Sequence, residues 1–186
     1  MKGKTMALPK KQIFTINDIY SLPDGKRAEL IDGQIYDMAP PNTIHQKISW
    51  KLHVAIGNYI SSKNGNCDVY AAPFAVFLNS DDRNYVEPDI SIICDKNKID
   101  ETGCKGAPDW VIEIVSPSTQ QMDYGIKLFK YRTAGVREYW IINPKTRTVN
   151  LYDFEHEKVS SQYSFDEDIP VCIYQDFSIN ITALLK

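Results

Sequence analysis

Apolar residues recur along the chain with two spacings, and each spacing predicts a different element. Over residues 44–61 they recur every three or four positions, which is typical of an amphipathic helix that begins at a polar cap, Asn42 or Thr43. Residues 69–78 and 86–94 are dominated by apolar and β-branched side chains and predict two strands. Residues 109–115 are almost continuously apolar and predict a buried central strand.

Weaker signals complete the order of elements. Residues 16–22 predict a short helix, and residues 27–38 predict a hairpin because Asp32-Gly33 is a strong type I′ turn signal. A second long helix is expected over 121–133, ended by Gly135. Strands follow at 138–142 and 148–154, and residues 159–185 predict further short strands and a final turn. A helix, a hairpin, a helix, three strands, a helix and more strands indicate an α/β fold with helices against a mixed sheet.

Composition and charge narrow the class of protein. The 186 residues are 43% apolar and 24% charged, which is typical of one folded domain, expected over 13–186, with residues 1–12 as a mobile tail. No apolar run is long enough to cross a membrane, so we expect no membrane partner. A net charge of −3 excludes a protein that coats nucleic acid through bulk positive charge.

The cysteines bear on the compartment. There are four of them, and none forms a CxxC pair, so a zinc knuckle is not expected. The first residues carry lysines but no apolar stretch of the kind a secretory signal needs. These features together predict reduced thiols in a cytoplasmic protein.

Two acids interrupt apolar strands. Asp89 and Glu113 lie in consecutive predicted strands, where a buried carboxylate is costly unless a positive group neutralises it. A shared divalent cation is the simplest neutralising group, and Mg²⁺ usually takes one or two carboxylates together with water and phosphate oxygens. The alternative is a pair of structural acids satisfied by an arginine or by backbone amides.

The second long helix supplies a candidate cation. Asp123, Lys127 and Tyr131 follow one another at intervals of four residues and therefore share a helix face. Lys127 could then lie above Glu113 and orient water or stabilise negative charge on a phosphate. The alternative is an ordinary surface pair between Asp123 and Lys127, and Lys130 is the competing lysine.

These motifs, in this order, resemble a known family. The matching strings are VEPDISII, DWVIEIVSPST, the D-x-x-x-K-x-x-x-Y spacing from Asp123, GVREYWIINP and TVNLY. Earlier, RAELIDGQIYDMAPP is followed by His45. Over roughly residues 13 to 155 the chain resembles the Uma2 family of endonucleases, in the PD-(D/E)xK superfamily. The resemblance implies a restriction-endonuclease-like αβββαβ core, with a mixed central sheet flanked by helices and with an added N-terminal hairpin and C-terminal strands.

The resemblance also implies an active site. Asp89 and Glu113 are its implied metal ligands, joined by the backbone carbonyl of Ile114, with Mg²⁺ or Mn²⁺ as the cofactor. The superfamily pattern places a lysine two residues after the second acid, where this chain has Val115, and Lys127 matches the family position that replaces it. The implied activity is metal-dependent hydrolysis of phosphodiester bonds, with DNA as the expected partner.

Several residues are expected to support the site. They are His45, which matches a family position on the first core helix, Glu29 in the hairpin, Asp123, which would orient Lys127, and Tyr131. Glu87 is a further candidate, although strand alternation points it away from Asp89. The polar residues after the third strand would contact phosphate oxygens: Ser116, Ser118, Thr119 and Gln120. The loop lysines are better explained as solvated than as DNA contacts: Lys96, Lys98 and Lys105.

Other functions stay open at this point. The same fold with an idle metal site would be a module that binds nucleic acid or protein. A hydrolase of small phosphoesters is a second alternative. Aromatic residues in the C-terminal strands also leave a homodimer open.

Overall fold

The structure, a computed structural model, describes residues 12–117 and 119–186, so the tail expected over 1–12 lies outside it except for Gln12. Its helices are α1 (Ile16–Tyr20), α2 (Thr43–Ser62), α3 (Leu128–Ala134) and α4 (Ile181–Leu185). A π-helical segment, Met122–Lys127, runs directly into α3. Within the described ranges no helix is both long and apolar enough to cross a membrane.

Thirteen strands are assigned within the same ranges. In chain order they are β1 (Ala28–Ile31), β2 (Gln34–Asp37), β3 (Asp68–Ala71), β4 (Val76–Phe77), β5 (Ile90–Ile93), β6 (Ile99–Asp100), β7 (Gly103–Lys105), β8 (Trp110–Ile114), β9 (Glu138–Asn143), β10 (Thr148–Asp153), β11 (Ser161–Ser164), β12 (Ile169–Pro170) and β13 (Ser178–Ile179).

A mixed sheet forms the centre of the molecule. Its strand order is β11-β10-β9-β8-β5-β3. Strands β8 and β9 are parallel and the other neighbours are antiparallel. Parallel neighbours need a crossover connection, and the π-helical segment with α3 provides it. The order α2, β3, β5, β8, α3, β9 confirms the predicted αβββαβ core and α/β class.

Both faces of the sheet are covered. On one face α2 packs Ile48, Leu52 and Ile56 against Trp110 and Trp140 of the central strands. On the other face the crossover helix packs Tyr131 against sheet residues that include Val111, Tyr139 and Ile141. Because side chains alternate along a strand, Trp110 and Ile112 of β8 face α2, whereas Val111 and Glu113 face the crossover helix. This alternation decides which helix can reach Glu113.

Several predicted strands are shorter than the pattern indicates. The strand expected over 69–78 divides into β3 and β4, separated by a cis peptide bond between Ala72 and Pro73. The strand expected over 86–94 is reduced to β5, because Pro88 has no N–H to donate to a neighbouring strand. Val86 instead forms an isolated bridge with Val76. The loop that carries Lys96, Lys98 and Lys105 contains β6 and β7, and the expected final turn is the short helix α4.

The expectation of four reduced cysteines is wrong for two of them. Cys67 and Cys94 form a disulfide, with their Cα atoms 3.8 Å apart. The pairing of Asp68 with Ile93 in strands β3 and β5 brings the two cysteines opposite each other. Cys104 and Cys172 are free thiols. The prediction of reduced thiols rests on cysteine spacing and on the cellular compartment. Neither of these reveals the register of two strands.

Candidate active site

Lys127 lies at the centre of a buried cluster of acids. Its Nζ is 2.8 Å from Glu29 Oε2, 2.9 Å from Glu113 Oε1 and 3.9 Å from Asp123 Oδ1. The residue is 5% exposed, and the three acids are 5% exposed or less. The alternative of a surface pair between Asp123 and Lys127 is therefore wrong.

The crossover helix delivers these groups because of its local geometry. Asp123 and Lys127 lie in the π-helical segment, and Tyr131 lies one turn further on in α3. All three are buried, as the shared helix face predicts. The Tyr131 hydroxyl donates a hydrogen bond of 2.6 Å to Glu113 Oε1, the oxygen that Lys127 also contacts. Single π-helical turns occur frequently at functional sites.

Asp89 reaches the cluster from the position just before β5, beside the first turn of α2. Its Oδ2 accepts a hydrogen bond of 2.7 Å from the backbone N–H of Ile114 and lies 3.1 Å from His45 Nε2. The Asn42 side chain accepts from the His45 backbone N–H at 3.0 Å, which caps α2 and places His45 in its first turn. The N–H and C=O of a strand residue point to the same side, so the Ile114 carbonyl faces the Asp89 side of β8.

Acidic side chains outnumber basic ones around Lys127. Burial raises the pKa of Glu113 well above its ordinary value, and Lys127 only partly offsets this. Burial also raises the pKa of Asp123 to about 6. Burial alone would lower the pKa of Lys127, but Glu113, Glu29 and Asp123 outweigh it and raise the pKa. Lys127 is therefore held as an ammonium, whereas Glu113 and Asp123 ionise less readily than ordinary carboxyl groups.

The donor set fits a hard divalent cation. Among the described residues no three His, Cys, Asp or Glu side chains form a metal-ligand group. Mg²⁺ needs fewer protein ligands, commonly one or two carboxylates with waters completing the shell. Asp89 and Glu113 are such carboxylates, and Asp123 Oδ1 is buried without a hydrogen-bond partner in the described part of the chain. The crowding of buried acids, whose charged forms burial disfavours, is a second feature that a cation would relieve.

The cluster opens into a pocket of about 430 Å³. Its floor carries Asp89, Glu113, Asp123 and Lys127, and its wall includes parts of the hairpin and the first turn of α2. Ser116 and Thr119 also line it, and the Ser116 backbone N–H donates to Thr119 Oγ1 at 3.0 Å. Ser118, another predicted phosphate contact, lies outside the described residues.

Arg27 is one of several pocket residues that were not singled out from the sequence. Arg27 forms an ion pair with Glu87, and both line the pocket. Glu87 also accepts a hydrogen bond of 2.6 Å from the Tyr85 hydroxyl. The expectation that it points away from Asp89 is wrong, because residues two apart along an extended chain lie on the same side and both acids line the pocket. The partners of this pair are 60 residues apart, and no local pattern signals such a contact.

The competing lysines lie elsewhere. Lys130 pairs with Asp32 in the hairpin turn and takes no part in the acid cluster. Each loop lysine contacts a nearby group outside the pocket. Lys96 forms an ion pair with Asp68, and Lys98 donates a hydrogen bond to the Ala107 carbonyl. Lys105 forms an ion pair with Asp100 and lies over the Phe77 ring. These contacts agree with a loop that is structural rather than part of the pocket.

Comparison with known proteins shows the family. Residues 16–182 match the family model of Uma2, which is described as a putative restriction endonuclease. An uncharacterised protein of Synechocystis, slr1290, is 28% identical over 128 residues, which is 68% of this chain and 66% of that protein. The chain thus spans just under two thirds of that relative.

A solved structure shares the fold. It is the crystal structure of a putative nuclease belonging to DUF820 from Anabaena variabilis, which superposes with a TM-score of 0.75 at 22% identity. The match covers 92% of this chain and 97% of the other. Fold and site together define a nuclease-like α/β protein with a buried acid–lysine cluster. The chain belongs to the Uma2 family.

Proposed function

We propose that the protein is a metal-dependent endonuclease that hydrolyses phosphodiester bonds in DNA. The observation that carries this proposal is that Asp89, Glu113 and Lys127 line one pocket. They come from the start of β5, from the central strand β8 and from the crossover helix. Membership of the Uma2 family supports a hydrolase of this kind.

A divalent cation, Mg²⁺ or Mn²⁺, would be held by Asp89, Glu113 and the Ile114 carbonyl. When bound, it would polarise the scissile phosphate and make a water molecule more acidic. Mg²⁺ and Mn²⁺ both accept such oxygen ligands.

The side chains of the chain itself have separate roles in this proposal. The Lys127 ammonium would orient the attacking water and stabilise the negative charge that develops on the phosphate oxygens. Glu29, Asp123 and Tyr131 would hold Lys127 and Glu113 in place through their buried contacts. His45 would hold the Asp89 carboxylate toward the pocket.

One observation favours a second function. Lys127 contacts Glu113 directly, so the lysine neutralises one of the carboxylates that a cation would need. If this ion pair persists in the presence of divalent ions, the protein is a catalytically inactive module that binds nucleic acid or protein.

The test is cleavage of supercoiled plasmid and of single-stranded DNA with Mg²⁺ or Mn²⁺. Wild-type protein is compared with Asp89→Ala and with Glu101→Ala, which changes an exposed acid in the turn between β6 and β7. We expect metal-dependent cleavage by the wild type and by Glu101→Ala, and none by Asp89→Ala. An active Asp89→Ala protein would sink the site assignment, and metal-independent binding without cleavage would favour the module.

A further inference from the structure

The N-terminal hairpin, which lies outside the αβββαβ core, presents one of its faces to the pocket. Glu29 of β1 pairs with Tyr36 of β2, so the two side chains share a face. Arg27 and Met38 lie two residues away on the same face and are joined by a hydrogen bond from the Met38 N–H to the Arg27 carbonyl, 3.0 Å. All four residues line the pocket.

The opposite face of the hairpin is buried elsewhere. Ala28, Leu30 and Ile35 pack into a separate apolar cluster with Ile19 and Phe77. Because that face is covered, the register of the hairpin is held and the face with Tyr36 and Met38 must face the acids. The hairpin is thus a fixed wall of the pocket.

This wall offers an apolar surface beside the charged floor. Tyr36 and Met38 are both half-buried and lie next to the 430 Å³ pocket. Met122 of the π-helical segment also lines it, as do the exposed prolines between the hairpin and α2. A cavity of this volume falls in the range of about 300–1,000 Å³ that is typical of small-ligand sites. One nucleobase could therefore stack against this wall while its phosphate faces the acids.

The charged groups on the floor of the pocket are also largely buried. Glu113 and Lys127 are 4% and 5% exposed, whereas the Asp89 side chain is 18% exposed. A duplex is stiff, with a persistence length of about 150 base pairs, and keeps its bases stacked inside. A single strand can bend into the pocket and can present an unstacked base.

The charge of the pocket lining also favours a single-stranded substrate. Duplex-binding surfaces typically neutralise several phosphates, on the order of 6–10. Among the residues that the structure describes, the lysines and arginines that line the pocket are Arg27 and Lys127, and each is paired with an acid. This surface suits a contact with one nucleotide better than a contact with a length of duplex.

We infer that the pocket between the hairpin and the acid cluster binds one unstacked nucleotide, so that the substrate is single-stranded nucleic acid or a single-stranded segment. This inference rests on the proposed nuclease function. It adds single-stranded nucleic acid as the substrate class. It also makes Tyr36 and Met38 the base platform, the surface against which one base stacks.

Fluorescence anisotropy tests the inference with the full chain and a short labelled DNA strand, alone and annealed to its complement. Ca²⁺ replaces Mg²⁺ so that binding is measured apart from cutting, and a matched RNA strand and RNA duplex form a second pair. We expect the single strand of DNA or RNA to bind at least about tenfold more tightly than its own duplex, in line with the contribution of base stacking. Equal or tighter binding of both duplexes would overturn the inference.

Substitutions of Tyr36 and Met38 test whether these residues form the base platform. Tyr36→Ala and Met38→Ala should each weaken single-strand binding by about five- to tenfold or more, whereas Met38→Leu should keep it. Gln34→Ala is the matched control, because Gln34 lies on the same strand but bonds the backbone of Gln12 and Gly33. Tyr36 also contacts the core, so thermal melting must show that its variant is folded, and the Met38 pair tests the platform without that complication.

Cutting in Mg²⁺ separates two kinds of failure. If duplex and single strand are cut equally well, the protein remains a nuclease and only the single-nucleotide pocket is wrong. If neither nucleic acid is cut or bound, the proposed function fails and the inference fails with it.

Discussion

Lys127 Nζ lies 2.8 Å from Glu29 Oε2, a buried contact between the crossover helix and the N-terminal hairpin. The hairpin is therefore a part of the candidate active site and not only an addition to the nuclease core. Glu29 is held in turn by the Glu87 backbone N–H, which donates to its other oxygen at 3.0 Å. Any change that moves the hairpin will move the ammonium that faces Glu113.

The first prediction separates the two candidate lysines. Lys127→Met should lower the cleavage rate by about 100- to 1,000-fold, the usual cost of removing one group that stabilises transition-state charge. Lys130→Met is the matched control and should stay within about twofold, because Lys130 pairs with the exposed Asp32 outside the cluster. Initial rates on a fluorescent DNA strand measure both. The opposite pattern would make Lys130 the catalytic lysine.

Lys127→Met should also destabilise the protein, because it leaves Glu29, Glu113 and Asp123 without their buried cation. Removing one partner of a buried ion pair typically costs about 3–5 kcal/mol of unfolding free energy. Urea unfolding without metal measures this cost. Mg²⁺ should restore more stability to the variant than to the wild type, and equal effects of Mg²⁺ would argue against a cation site among these acids.

The second prediction concerns Glu29 as a positioning residue. Glu29→Gln keeps the size of the side chain but removes the charge that fixes Lys127. We expect kcat to fall by about 10- to 100-fold with little change in KM, because a misplaced catalytic group slows the reaction without weakening substrate binding. Asp24→Asn changes an exposed acid in the turn before the hairpin, away from the pocket, and should leave kcat unchanged. A rise in KM alone would indicate that Glu29 contacts the substrate.

The third prediction uses the buried acid on β9, remote from Lys127. Glu138 accepts hydrogen bonds from Trp140 Nε1 at 2.6 Å and from the Ile173 N–H at 3.0 Å. Burial nevertheless raises the pKa of Glu138 from 4.5 to about 7. The folded protein therefore keeps a proton that the unfolded chain has lost between those two pH values.

Stability must fall as the pH rises through this window, since the folded state binds more protons than the unfolded state there. The full effect is about 3 kcal/mol at about 1.4 kcal/mol per pKa unit, and it is complete above pH 7. Urea unfolding of wild type and Glu138→Gln from pH 4 to pH 8 isolates it, because the variant lacks this slope. Glu101→Gln serves as the control, and identical slopes in all three proteins would contradict the assignment.

The fourth prediction concerns the disulfide between Cys67 and Cys94. Under denaturing conditions without a reductant, a thiol assay should detect Cys104 and Cys172 but not the other pair. The bridge closes a loop of 27 residues, so chain entropy predicts that Cys67→Ser with Cys94→Ser costs about 3–4 kcal/mol of unfolding free energy. Four reactive thiols in unreduced protein would show that the bridge does not form.

The hydrophobic pattern was sufficient for the core elements. The helical spacing over 44–61 predicts α2, which begins at Thr43 after the Asn42 cap. The Asp32-Gly33 signal predicts the turn between β1 and β2, and both residues have positive φ there, 50° and 71°. Such elements follow from local contacts, so they can be read from a single segment. The division of the strand expected over 69–78 could not be read this way, because β3 pairs with β5 whereas β4 pairs with β7 in another sheet.

The residues of the candidate site also fall into two groups, those that the sequence identifies and those that only the structure reveals. Acids inside apolar strands identify Asp89 and Glu113, and helical spacing identifies the face that carries Asp123, Lys127 and Tyr131. The catalytic and metal-binding roles of these residues remain predictions. The ion pair of Arg27 with Glu87 and the position of Tyr36 beside the pocket have no local signal in the sequence. They exist because the hairpin folds back over the edge of the core.

The sequence by itself therefore determined the class of fold, the order of the core elements and the residue types that chemistry requires. It did so because burial of apolar side chains and alternation along strands and helices act over short stretches of chain. Only the tertiary structure decided that Lys127 is buried between Glu29 and Glu113, that Cys67 faces Cys94 and that the hairpin closes the pocket. Those relationships depend on strand register and on packing between distant segments. They are therefore determined by the free energy of the complete fold and not by any one segment.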